Sequence, residues 1–95
     1  MIPLEKDIET KLRKSVEAAG GHCLKWVCPG WAGVPDRLVL LPGGVLIFVE
    51  TKRPIGGTLS ARQKWWRKKL ISLGFPHFVV WDWEDLDKFA TAVLE

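Results

Sequence analysis

Cysteine is scarce in this chain: Cys23 and Cys28 have four residues between them and only the adjoining His22 nearby, too few ligands for a structural zinc site. A secreted scaffold of this size would carry more cysteines. The sequence also has no charged-then-apolar leader and no apolar run of about 18 residues, so a soluble cytoplasmic protein with reduced thiols is expected. No internal repeat and no low-complexity segment appears. Acidic residues are missing between Lys52 and Lys69, where Lys52, Arg53, Arg62, Lys64, Arg67, Lys68 and Lys69 stand together. Asp82, Glu84, Asp85 and Asp87 gather instead near the C-terminus, which predicts an electrically two-sided molecule. The net charge of +3 favours a polyanionic partner without identifying one.

What is present excludes disorder. Apolar residues make up 47% and charged residues 26% of the 95 positions, a globular composition. A chain of this length has room for one core, so residues 1–95 are expected to form one domain.

Ile8, Leu12, Val16 and Ala19 recur every three or four positions, predicting an amphipathic helix over 5–19 that Gly20-Gly21 stops. A short strand over 22–27 follows, then the loop Cys28-Pro29-Gly30-Trp31-Ala32-Gly33-Val34-Pro35, whose composition opposes regular structure. Residues 36–41 and 45–51 read as antiparallel strands joined at Pro42-Gly43-Gly44, and their near-continuous apolar character predicts burial on both faces. Residues 53–59, with Pro54, Gly56 and Gly57, should leave the sheet as a mobile connection. Ser60-Ala61-Arg62-Gln63 has capping-box spacing for a helix ending near Leu73. A strand over 77–81 and a helix capped by Asp82 complete an αβββαβα order, an α/β fold with a central mixed sheet flanked by helices.

Function concentrates where the two central strands end. Glu50 and Lys52 share one face of their strand while Thr51 points away. Pairing about Pro42 to Gly44 brings Asp36 across from Glu50 to Lys52. Two carboxylates and one ammonium there form either a surface salt bridge or a site in which Asp36, Glu50 and the Thr51 carbonyl offer hard oxygen ligands to Mg2+ or Mn2+. Lys52 would then orient an attacking water or stabilise phosphate charge.

Gly33-Val34-Pro35-Asp36-Arg37, Pro42-Gly43-Gly44, Phe48-Val49-Glu50-Thr51-Lys52, and Ser60-Ala61-Arg62-Gln63 with Leu70 and Gly74 together resemble the VRR-NUC branch of the PD-(D/E)XK nuclease superfamily. The resemblance spans nearly the whole chain. It implies a restriction-endonuclease-like αβββαβ core and a metal-dependent DNA phosphodiesterase of phage or bacterial type, with Asp36, Glu50, Lys52 and Gln63 on the family's functional positions. The family often has an aliphatic residue where this chain has Thr51, whose carbonyl remains available to a metal. Related Holliday-junction resolvases bring a first-helix glutamate to the metal, for which Glu9 is the better match and Glu5 the second. Gln63 has two possible duties, in the site network or in the helix cap.

Lys64, Arg67 and Lys68 interleave with Trp65 and Trp66 beside this site, and Lys25, Arg37 and Arg53 extend the track. These six are the expected nucleic-acid contacts, binding phosphates without reading sequence. Arg37 is equally suited to pair with an acidic site residue. Six tryptophans exceed what so small a core encloses, so at least one is expected at an interface. The leading expectation is a homodimeric endonuclease cutting branched DNA, a four-way junction above all. A flap or general structure-specific nuclease, a non-catalytic DNA-binding module and an interaction domain are the alternatives.

Overall fold

The computed structural model describes residues 2–95. The elements run α1 (Glu5–Ala18), β1 (His22–Lys25), β2 (Arg37–Leu41), β3 (Val45–Thr51), α2 (Ala61–Ser72), β4 (His77–Val80) and α3 (Trp83–Val93), the predicted order with ends trimmed by a residue or two. The strands lie in the order β1-β2-β3-β4. Both hairpin pairs are antiparallel, and β4 returns parallel to β3 after the α2 crossover.

Local chemistry accounts for the element ends. Gly20 takes a φ of 87°, a left-handed turn that a β-carbon would strain, and α1 stops there. Leu41 pairs with Val45, which leaves Pro42-Gly43-Gly44 as the hairpin loop, with both glycines at positive φ. At α3 the Asp82 carboxylate accepts from the Asp85 N–H at 2.8 Å while Asp85 accepts from the Trp81 N–H at 3.0 Å.

Ile8, Leu12 and Val16 of α1 and Leu86 and Phe89 of α3 pack on one sheet face, against Cys23, Val39, Ile47, Val49 and Val80. The opposite face is different. There Phe48 meets Trp26 and Phe75, each at 5.5 Å between ring centroids, and α2 lies over the β3–β4 side. Strand alternation and register put Leu24, Leu38, Leu40, Leu46 and Phe48 on this second face. Leu24 remains 46% exposed and Leu40 40% exposed. The expectation of burial on both faces, made for residues 36–41 and 45–51, is therefore corrected at Leu40 of β2, and β1 stays open beside it: one twelve-residue helix is too short to cover four strands.

The connection over 53–59 is also tied down, because the Trp81 indole N–H donates to the Gly57 carbonyl at 3.1 Å. Cys23 is buried, Cys28 half-buried, and both are free thiols.

Candidate active site

Backbone register builds this site. Arg37 lies opposite Val49, so Asp36, the residue before β2, falls across from Glu50 at the end of β3. The first turns of α1 pass the same end of the sheet. One carboxylate oxygen each from Glu5, Glu9 and Asp36 lie within 4.8 Å of one another, all three residues half-buried.

Thr51 joins two of them. Its hydroxyl sits 2.9 Å from Asp36 Oδ2 and 3.0 Å from Glu9 Oε1, while its backbone N–H donates to Asp36 Oδ1 at 3.3 Å. A hydroxyl has one proton, so it can satisfy one carboxylate at a time. The Arg37 guanidinium pairs with Glu9 Oε2 at 2.8 Å and steadies that side. Burial raises the Asp36 carboxyl above the usual range against the two Thr51 hydrogen bonds; Glu9 adds to the rise and Arg37 opposes it.

Glu50 occupies the other face of β3 and stands outside that group of three. It is only 4% exposed, and burial, with the nearby Asp36 charge second, pushes its carboxyl up to about 7, against the lowering effect of Lys52. Lys52 makes no ion pair within 4 Å among the described residues; its backbone N–H donates to the Val80 carbonyl at 3.0 Å. The Gln63 amide performs both duties open to it. Its Nε2 donates to Glu50 Oε1 at 3.0 Å, and its Oε1 accepts from the Ser60 N–H at 2.8 Å while the Ser60 hydroxyl accepts from the Gln63 N–H. The cap of α2 and the carboxylate on β3 thus share one side chain.

No family model matches the chain. The p44 protein of Acyrthosiphon pisum secondary endosymbiont phage 1, named as a nuclease, is 43% identical over 89 residues, covering 94% of each chain. A solved structure of a VRR-NUC domain superposes with a TM-score of 0.87 at 30% identity, over 94% of this chain and 96% of that one. The chain belongs to the VRR-NUC nuclease family.

The remaining candidates of this VRR-NUC chain divide by what holds them. Lys25, Arg53, Lys64 and Lys68 are exposed. Arg67 turns inward, where its Nη1 donates to His77 Nδ1 at 2.7 Å and to the His77 carbonyl at 2.8 Å. A guanidinium cannot accept, so the His77 proton resides on Nε2. Burial, seconded by the Arg67 charge, lowers His77 to about 4.

Two features had weak sequence signals. Glu5 stands one helical turn before Glu9 and joins the carboxylates, a placement that follows from i, i+4 spacing once Glu9 is fixed. The Thr51 hydroxyl was hidden behind its carbonyl, although a threonine in a position often aliphatic was its signature. Among the described residues, no helix is long and apolar enough to cross a membrane.

Proposed function

We propose that residues 1–95 act as one VRR-NUC nuclease domain, a divalent-metal-dependent, structure-selective DNA endonuclease that works as a homodimer on four-way junctions. The observation that carries this reading is the convergence of Glu5, Glu9 and Asp36 beside Glu50, with Arg37 as the one cation in ion-pair distance of any of them among the described residues. Half-buried carboxylates left in such excess are costly without a counter-charge. Their hard oxygens suit Mg2+ or Mn2+, which Asp36, Glu50, Glu9 and the Thr51 carbonyl would hold, with Glu5 in reserve. Such an ion supplies positive charge to a scissile phosphate and acidifies the attacking water.

The chain's own groups set up the reaction around that charge. Lys52, free of any ion pair among the described residues, directs its ammonium to the water or to the negative charge that grows on phosphate oxygens. Gln63 fixes the orientation of Glu50, and Arg37 with the Thr51 hydroxyl fixes Glu9. Lys25, Arg53, Lys64 and Lys68 bind backbone phosphates, a contribution that fades as salt rises. The uncovered apolar strip on β1 and β2 supports pairing with a second copy, which would set two sites on two strands.

Cleavage of matched four-way junction, flap, single-stranded and linear duplex DNAs in Mg2+ and Mn2+, with Lys52→Ala and Asp36→Ala in parallel, tests the proposal. The expected result is paired incision of the junction, reduced about 100-fold or more in either variant. Equal cutting of linear duplex overturns the junction assignment, and absence of metal-dependent incision on every substrate overturns the nuclease reading in favour of a DNA-binding module.

A further inference from the structure

Beside the proposed catalytic groups lies a cleft those groups do not use. Trp31, on the loop before β2, and Trp65 and Trp66, in the second turn of α2, line it together with Ala61 and Arg62, enclosing about 380 Å³. Trp31 is 61% and Trp65 55% exposed, an unusual cost for two indoles on so small a protein. Both stand edge-on to Trp66, at 5.9 Å and 82° for Trp31 and 5.0 Å and 89° for Trp65.

The walls are fixed before anything enters. Trp66 Nε1 donates to the Ala32 carbonyl at 3.1 Å. Gly33 lies so close to α2 that a β-carbon there would meet Arg62 Cβ at 2.5 Å and the Gln63 backbone nitrogen at 3.0 Å. Loop and helix are therefore locked together, which lowers the ordering cost of binding.

Perpendicular indole walls suit two kinds of guest, a cation or a flat aromatic ring. Charge decides between them. Arg62 forms part of the lining, Trp65 also adjoins Lys68 and Lys69, and no acidic residue occurs from Lys52 to Lys69. A cation would be repelled here, whereas an aromatic ring attached to a polyanion satisfies both the walls and the rim. The position fits as well, because Arg62 immediately precedes Gln63, whose amide is bonded to Glu50.

We infer that the Trp31, Trp65 and Trp66 cleft receives an unpaired nucleobase of the DNA strand being cut, next to the phosphate at the active site. The inference rests on the nuclease reading and extends it to substrate choice. A base stacked and paired in duplex cannot enter, but one released at a branch point or flap can. Selection of branched DNA then comes from stacking on tryptophan as well as from the shape of the dimer, and it is tolerant of base identity because every base has a π-face.

The test compares metal-free binding, by fluorescence anisotropy, of three oligonucleotides: a fully paired duplex, the same duplex with one unpaired nucleotide, and that duplex with the unpaired position abasic. Wild-type protein is expected to bind the abasic form about tenfold more weakly than its base-bearing counterpart. Trp65→Ala and, separately, Trp31→Ala should erase that difference while leaving the affinity for fully paired duplex within about twofold. Equal wild-type affinity for the abasic and base-bearing forms overturns the inference, and so does competition by tetramethylammonium chloride beyond that of sodium chloride at the same concentration. The abasic comparison needs no variant, so a misfolded mutant cannot mask the answer. Cutting the same three DNAs and a four-way junction in Mg2+ separates the two claims: base-selective binding with no incision of any of the four keeps the cleft and removes the nuclease reading, while equal binding of the three with incision of the junction does the reverse.

Discussion

Glu50 is held in place against its own solvation. In the unfolded chain its carboxyl ionises near 4.5, in the folded protein at about 7, so the folded state retains the proton more tightly. Its ionisation thus subtracts from stability as pH rises above 4.5, with the full cost reached above about 7. Glu50→Gln keeps the acceptor that Gln63 uses and removes the charge. Cleavage should be lost, while the metal-free melting temperature at pH 8 rises by several degrees, measured by circular dichroism. His77 has the opposite linkage. Its folded value of about 4 lies below the ordinary 6.5, so the unfolded chain takes up the proton first as pH falls. Its stabilising effect is complete above 6.5 and is lost between 6.5 and 4, a difference of roughly 3 kcal/mol. Glu50 titrates with the opposite sign over nearly the same window and offsets this loss in the wild type, so urea denaturation of Glu50→Gln should reveal it, and adding His77→Gln, which preserves an acceptor for Arg67, should flatten it.

Among the elements, the loop from Cys28 to Pro35 and the start of α2 behave as one piece. Gly33 has a φ of 84° and no room for a β-carbon against Arg62. Gly33→Ala is expected to destabilise by about 2 kcal/mol from the left-handed backbone alone, with further loss as the loop lifts from α2. Chemical denaturation measures the first effect, and reduced cleavage with retained α-helix signal identifies the second. The order of the elements was legible because apolar spacing, paired glycines and capping residues all agree. Asp36, Glu50, Lys52 and Gln63 were legible as a group because strand register and the Gly-x-Pro-Asp-Arg and Glu-x-Lys motifs fix their neighbourhood. The three-carboxylate group was not, since whether Glu5, Glu9 or Glu50 accompanies Asp36 depends on how α1 crosses the sheet. Nor does sequence say that Arg67 turns toward His77 while Lys64 and Lys68 face water, because all three sit on one helix with alternating basic and aromatic residues.

At the scale of the whole molecule, the two faces of the sheet have different fates. One is covered by α1 and α3; the other leaves Leu24 and Leu40 partly in water. Apolar strands predict burial, but they do not say whether the cover comes from the same chain. If a second copy provides it, sedimentation equilibrium will return twice the mass of one chain, and Leu40→Lys will return the single mass with its secondary structure intact. A wild-type monomer at tens of micromolar would remove paired incision from the account.

The doubled duty of the Gln63 amide has a thermal consequence. Helix ends open more readily than helix centres, and here the first turn of α2 opens only together with the loop packed on it at Gly33, as one unit, below the temperature at which the core melts. Each such excursion releases Glu50 from its tether. The working range of the enzyme is then set by one turn of helix, and activity should fade on warming while the rest of the molecule is still intact.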